Sequence, residues 1–544
     1  MLIKNFIIEI VSQLKTPKAT KQFIQHNTAT FKYKKEREKN SSVVLLEHNT
    51  LRSAHIAYSY LGNALAKKYN AKIIAYNTHQ PKGLKQKLLS KMKELLKFDH
   101  WGVYHSFGAD KFLNITPSKI QIKEAKKITK KMLKTISSKK DIENITINKI
   151  WIGDLIYDTY LRSNNLPTID LTSDSFTQHL QKSIEIFISL EYFLENNNVR
   201  AINISHCVYN TAIILRIALH KNIEVYQINA TYAYRLKSNN MFAYNDFHYF
   251  PKIFSRLSED IQKAGKTEAR RRIEKRFSGV VGVDMNYSKK SAYGELFENR
   301  LILESPRKKI LVATHCFFDS PHCYGKNLFP DFYEWLTFLG EVSKTTNYDW
   351  YIKTHPDYLP GTMDVINKFI ERFPKFTLLP ADASHHQIIK EGIDCALSVY
   401  GSIGFEYAAL GVPVINASLN NPHIAYNFNL HPKSTTEYKE VLLNLEKLSF
   451  KIDINEVYEY YFMKFIFNTE NLFFDDYQKM INKVGGYKEQ FKPIIYNIWI
   501  DEYTQEKNQK ICKALEKFID SDDFRMDHSH FGKEFSMKNI EATS

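Results

Sequence analysis

Two successive α/β units built on parallel sheets are predicted from this sequence, on three observations. Short apolar runs alternate with helix-length segments, the chain is 544 residues long, and the alternation begins again after a charged central stretch. A chain longer than about 250–300 residues normally divides into more than one hydrophobic core. Hydrophobic residues make up 44% and charged residues 25% of the chain, a balance that excludes wholesale disorder and allows two such cores.

The elements follow in order. Leu2, Ile3, Phe6, Ile7, Ile10, Val11 and Leu14 recur at helical spacing ahead of a Lys-rich stretch from Lys15 to Lys39. Residues 1–40 therefore read as an amphipathic helix with a basic segment, suited to a membrane surface or to its own domain. From residue 41, SSVVLLEHN is a strand, Arg52 to Lys68 a helix and KIIAY a strand. The grammar resumes with NKIWIGDLIYD, a helix near Thr177–Asn196, the strand RAINISH, a helix at Tyr209–His220 and the strand IEVYQINA. This is βαβ order and implies an open parallel sheet. Residues 253–300, with EARRRIEKR, carry few apolar runs, separate this half from the next strand start as a charged connector, and close a first domain spanning 41–300. A second domain, 301–434, repeats the pattern: strand KILVATH, helix Phe332–Thr345, strand DWYIKTHP, helix Met363–Arg372, strand FTLLP, helix His385–Lys390, strand CALSVY, helix Ser402–Leu410, strand PVINA. Residues 435–544 are expected to be mainly helical. Two Rossmann-like halves predict a ligand in a crevice between them, at the carboxyl ends of the strands.

A net charge of +16 favours anionic partners: nucleotides, acidic glycans or lipid headgroups. Much of the excess sits in Lys-rich stretches that read as solvated helix faces, and no zinc-finger or RNA-binding signature accompanies it, so nucleic acid is not an expected partner. The five cysteines show neither CxxC spacing nor a paired framework, which predicts no disulfide, no zinc and a reducing compartment. With no apolar run of about 18 residues and no signal-peptide pattern, a cytoplasmic location is expected.

Three stretches carry candidate chemistry. In LSVYGSIGFEYAALGVPVINAS (397–418), a strand ends at Tyr400 and a helix follows Gly401 and Ser402. Gly401 permits close backbone approach, Ser402 is a candidate N-cap, Ile403 opens the helix, and Glu406 lies one turn in, where a carboxylate can accept from a ribose diol. By spacing alone these residues equally suit an ordinary strand–helix–strand link. In WYIKTHPD (350–357), Lys353 and His355 fall on one face of a strand that Pro356 ends, placing two donors at its carboxyl end. In VATHCFFDSPHCYGK (312–326), Thr314 and His315 follow a strand; His315, Asp319 and His322 match no compact zinc spacing, so no metal site is expected.

The 397–418 stretch resembles the donor-site signature of GT-B glycosyltransferases through Gly401, Ser402, Glu406, Ala409, Gly411 and Pro413. Lys353-x-His355-Pro356 resembles the His-Pro motif of bacterial sialyltransferases, capsule Kdo transferases and polyol-phosphate transferases. Together the motifs, over residues 312–418, resemble capsular-polysaccharide biosynthesis transferases of Gram-negative bacteria. No paired Gln-Pro element of the Kdo transferases is present. The resemblance implies a GT-B fold and a metal-independent transferase that moves a sugar from a nucleotide-sugar donor to a glycan or lipid-linked glycan, at the cytoplasmic face of the inner membrane. It also implies capsule-assembly proteins as partners. Thr314, His315, Lys353, His355, Tyr400, Gly401, Ser402, Ile403 and Glu406 are then the donor-binding residues, with Glu406 on the ribose and His355 on the leaving phosphate. An inverting enzyme also needs a general base. Asp154 and Asp158, four apart in IWIGDLIYDTY, are the first candidates, ahead of Glu47, His48 and His206. Transfer of a CDP-polyol phosphate, a UDP-sugar epimerase and a non-catalytic capsule-assembly scaffold are the competing readings.

Overall fold

In a computed structural model, residues 16–31, 42–77, 84–284, 290–294, 296–355, 358–468 and 472–537 are described. The helix expected over residues 2–14 lies outside them. The first strands are β1 (Val43–Glu47), β2 (Lys72–Asn77) and β3 (Ala109–Asn114). A small hairpin follows, β4 (Thr146–Ile147) with β5 (Ile150–Trp151), then β6 (Val199–Ile204), β7 (Glu224–Ile228) and β8 (Ala233–Leu236). The chain then forms β9 (Lys309–Ala313), β10 (Asp349–Lys353), β11 (Phe376–Leu378), β12 (Cys395–Ser398) and β13 (Val414–Asn416).

Two sheets result, ordered β3-β2-β1-β6-β7-β8 and β11-β10-β9-β12-β13. All neighbours in both are parallel except β7 with β8. The fold is therefore α/β with two Rossmann-like units. In each sheet the first strand is central and the order reverses beside it, between β1 and β6 and between β9 and β12. Such a reversal leaves a crevice outside the carboxyl ends of the two strands.

The units are composed differently from the linear boundaries read from the sequence. One comprises the described residues up to 131 with 181–243 and 469–535; the other comprises 132–180, 244–468 and the described residues beyond 535. The first unit's core packs the helix Arg52–Tyr69 and the C-terminal helices Ile494–Glu502 and Gln505–Asp520 around Leu46, Ile56, Leu61, Trp499 and Phe518. The second has a core on each face of its sheet. Val312, Trp335, Trp350, Phe369 and Leu397 build one, and Leu311, Tyr351, Ile388, Ala396 and Tyr407 the other. Strands buried on both sides explain why their sequences are continuous apolar runs.

Residues 132–180 join the second unit for a packing reason. The helix Gly153–Asn164 starts against the helix Lys139–Glu143, so close that a Cβ at Gly153 would lie 2.2 Å from the carbonyl oxygen of Ile142. Its Tyr157 hydroxyl donates to the Asp331 carboxylate at 2.5 Å, and Thr168 donates to the same carboxylate at 2.7 Å. The charged stretch after residue 253 is likewise no linker: it forms the helix Glu259–Phe277, whose Gly265, Ala269 and Ile273 are buried.

Candidate functional site

The β9/β12 reversal opens into a cavity of about 320 Å³. Thr314, His315, Lys353, His355, Gly401, Ser402, Ile403 and Glu406, eight of the residues singled out in the sequence, line it. Lys353 ends β10 and is 3% exposed; its ammonium donates to the Ala381 carbonyl at 2.8 Å. Burial pushes its pKa down to about 8, against the opposing pull of Asp382 and Glu406. His355, two residues on, is exposed on the cavity wall. The end of β9 is tied to β10 by the Thr314 N–H, which donates to the Lys353 carbonyl at 3.1 Å.

His315 bridges the reversal. Its Nε2 accepts from the Val399 N–H at 3.0 Å and lies 3.1 Å from Ser398 Oγ, while its ring stacks on Phe332. Burial, with His355 nearby, lowers its pKa to about 3. The ring is thus neutral, with its proton on Nδ1. Gly401 follows closely: a Cβ there would meet Ser398 Oγ at 2.9 Å and His315 Cε1 at 3.5 Å. The Ser398 hydroxyl accepts from the Gly401 N–H at 3.1 Å.

Two local expectations are corrected. Ser402 has helical backbone angles and its hydroxyl makes no capping bond, so the hydroxyl that receives a backbone N–H at this turn is that of Ser398. Tyr400 does not line the cavity. Its ring packs on His315, Phe332 and Tyr324, and its hydroxyl donates to the Ser320 carbonyl at 3.2 Å.

Glu406 sits one turn into the helix Ile403–Ala409 and is 3% exposed. Its Oε1 accepts from Arg276 Nε at 3.0 Å and Nη2 at 2.6 Å, and its Oε2 accepts from the Tyr293 hydroxyl at 2.9 Å. Both partners also line the cavity. Neither was anticipated, because both come from the stretch read as an inter-domain connector. Behind them the His385 ring hydrogen-bonds Tyr407 at 2.7 Å. Burial, reinforced by Lys353, holds that ring neutral.

Among the described residues the lining thus carries cations from Arg276, Lys290 and Lys353, and Glu406 is its one carboxylate. With Arg276 paired to Glu406, the positive charge of Lys290 and Lys353 is left facing a small volume. At the mouth, Val280, Val281, Tyr358 and Leu359 are exposed large apolar side chains that converge on the same cavity. A buried and an exposed cation beside apolar side chains suit a flat base joined to phosphates.

Asp154 and Asp158 take a different place. Both are buried in the helix Gly153–Asn164 of the second unit, and neither lines the cavity. Asp158 meets His322 Nδ1 at 2.6 Å, and Glu143 stands 3.6 Å from the other ring nitrogen. Burial alone would lower the pKa of His322, but Asp158 and Glu143 outweigh it and raise it to about 10. Burial raises Asp158 to about 6 despite His322. At neutral pH the two form a buried ion pair that fixes the loop after β9. Glu47, another base candidate, accepts from the Ser205 N–H at 2.5 Å across the β1/β6 reversal of the first unit. His48 and Asn77 hydrogen-bond at 2.6 Å beside it.

No protein family and no curated protein matches the sequence. Among solved structures, the chain is similar to the UDP-GlcNAc 2-epimerase of Neisseria meningitidis bound to UDP-GlcNAc, at 14% identity over 79% of this chain and 95% of that one, with a TM-score of 0.21. It is also similar to Thermosulfurimonas dismutans KpsC, a beta Kdo 2,7 transferase, at 15% identity over 55% and 85% with a TM-score of 0.30. The Methanocaldococcus jannaschii UDP-GlcNAc 2-epimerase in complex with UDP-GlcNAc and UDP aligns at 11% identity over 77% and 97%, with a TM-score of 0.22. These likenesses are too distant to carry chemistry, which rests on the cavity's own residues.

Proposed function

We propose that the protein is a glycosyltransferase that takes a sugar from a nucleotide-sugar donor and adds it to a bacterial surface polysaccharide, without a metal ion. The observation that carries this reading is the composition of the β9/β12 cavity: two cations beyond the Arg276–Glu406 pair, His355 at the wall, and an apolar mouth. A nucleoside diphosphate presents two to three negative charges and a flat base, which is the complement of that lining.

In this reading Lys353, Lys290 and His355 stabilise the charge that develops on the diphosphate as its bond to the sugar breaks. Fixed cations can do this without a bound metal, which is why metal independence is part of the proposal. Glu406 keeps its proposed role on the ribose with a change. Both its oxygens are engaged, so a ribose diol reaches them by exchange with Arg276 and Tyr293. The guanidinium released in that exchange faces the phosphates, and ribose recognition thereby adds a phosphate ligand. The general base is proposed to come from the acceptor side; the Asp158–His322 pairing favours a positioning role for Asp158 over proton abstraction.

The test is ligand-linked stability of the purified chain against UDP, GDP, CMP, CDP and dTDP, with and without magnesium, because a ligand of the folded state raises its apparent stability. A magnesium-independent rise with one nucleotide supports the reading. No rise with any of them overturns it. Product analysis with and without a glycan acceptor then separates transfer from epimerisation, and UDP-sugar from CDP-polyol turnover. For the exchange, Arg276→Gln should weaken a nucleoside diphosphate more than the matching nucleoside. Equal losses for the two would refute delivery of Arg276 to phosphate.

A further inference from the structure

Between β2 and β3 the first unit carries the helix Leu84–Leu95, LKQKLLSKMKEL. Residues on a helix advance by about 100°, so Leu88, Met92 and Leu95 fall on a single stripe. Such a stripe normally faces a core. Here it faces solvent: Leu88 is 56% exposed, Met92 39% and Leu95 74%, and Leu96, which follows the helix, is 60% exposed. The opposite side is the inward one, since Leu89, Ser90 and Glu94 are half-buried.

The charges that flank the stripe in the chain are nearly all of one sign. Lys91 and Lys97 are exposed beside it. Between residues 84 and 131 stand twelve lysines, no arginine and four carboxylates. One of the four, Asp99, is already paired with Arg52 at 2.7 Å. Further along the chain, after the helix His100–Ser106, the helix Lys119–Met132 also exposes Lys119, Lys123, Lys126, Lys127, Lys130 and Lys131. A groove on a folded protein offers a defined pattern of both charges and rewards the planar fork of arginine. An apolar stripe set among lysines instead complements a surface that is diffusely anionic above and hydrocarbon below, where lysine stems lie along the apolar layer and their ammonium groups stay at the headgroups.

We propose that the helix Leu84–Leu95 docks the first unit on an anionic lipid bilayer, with Leu88, Met92 and Leu95 inserted at the acyl boundary and the lysines at headgroup level. The proposal stands apart from the nucleotide reading, because it uses no residue of the β9/β12 cavity.

The full chain is incubated with vesicles of phosphatidylcholine alone and of phosphatidylcholine with phosphatidylglycerol. It should sediment with the anionic vesicles, not with the neutral ones, and high salt should release it. The Leu88→Ser/Met92→Ser/Leu95→Ser variant should lose at least about tenfold in partitioning, since inserted apolar area drives binding. These positions are exposed, so its thermal midpoint should stay that of the parent. A Leu95→Trp variant, whose new indole should be quenched by brominated lipid beyond the parent's own signal, reports on the same face without removing it. Absence of sedimentation with anionic vesicles, unchanged partitioning of the triple variant, or an indole at position 95 indifferent to brominated lipid would each overturn the proposal. The last result, with binding intact, would assign the membrane contact to another segment.

Discussion

Replacing Arg276 by Met should destabilise the second unit far more than a surface charge deletion. Arg276 and Glu406 are an almost fully buried ion pair, with side chains 13% and 5% exposed. Deleting one partner of such a pair leaves an uncompensated buried charge, at a cost of about 3–5 kcal/mol. At roughly 2–4 °C per kcal/mol for a unit of this size, the midpoint should fall on the order of 10 °C. Glu406→Gln should cost less, about 1–3 kcal/mol, because the amide oxygen still accepts from Tyr293 and the guanidinium borders the open cavity. In Arg276→Met/Glu406→Gln the charge problem disappears, so the double variant should be more stable than Arg276→Met alone by at least about 2 kcal/mol. The assay is denaturant unfolding of the four proteins without nucleotide, read as a double-mutant cycle. An Arg276→Met effect within about 0.5 kcal/mol of zero, or strict additivity, would refute the pairing as a determinant of this site.

Three further outcomes are expected. Lys353 titrates near 8, so it is largely protonated at pH 7 and about one-eleventh protonated at pH 9; nucleoside diphosphate affinity measured by calorimetry should fall about tenfold across that interval, and Lys353→Met should abolish the fall. Gly401→Ala puts a Cβ 2.9 Å from Ser398 Oγ and should cost about 1–3 kcal/mol by overpacking, along with weaker nucleotide binding; a variant as stable as the parent would count against close approach at this turn. His322 is raised from 6.5 to about 10, so the folded state holds an extra proton between those values. The resulting stability is fully present below pH 6.5 and is lost as pH rises through about 10. His322→Gln should flatten that alkaline dependence in pH-resolved unfolding, and an unchanged slope would remove the assigned cause.

Much of the fold could be read from the chain because its information is local. Strands rich in buried residues appear as apolar runs, and β1, β2, β6, β7 and β9 to β13 were all placed that way. β3 escaped because it is an edge strand whose Asp110 and Lys111 face solvent, leaving ADKFLN without an apolar run. β8 escaped because it returns antiparallel directly after β7, where βαβ grammar expects a helix.

The candidate site divides in the same way. Lys353, His355, Gly401 and Glu406 lie at strand ends or within one turn of a helix start, positions that hydrophobic period fixes. Arg276 and Tyr293 meet Glu406 across 130 and 113 residues, and no local pattern encodes a contact at that range. One signal was nevertheless present. Gly265, Ala269 and Ile273 recur every four residues, the spacing of a helix face that admits close packing, and they are buried. Arg276 stands three residues beyond Ile273 and continues that face. An arginine in line with small buried residues points inward, and an inward arginine requires an acid to meet it. EARRRIEKR therefore looks like a solvated connector only when its charges are counted. When its face is traced, it predicts a buried guanidinium seeking a carboxylate, and among the described lining residues the one carboxylate is Glu406.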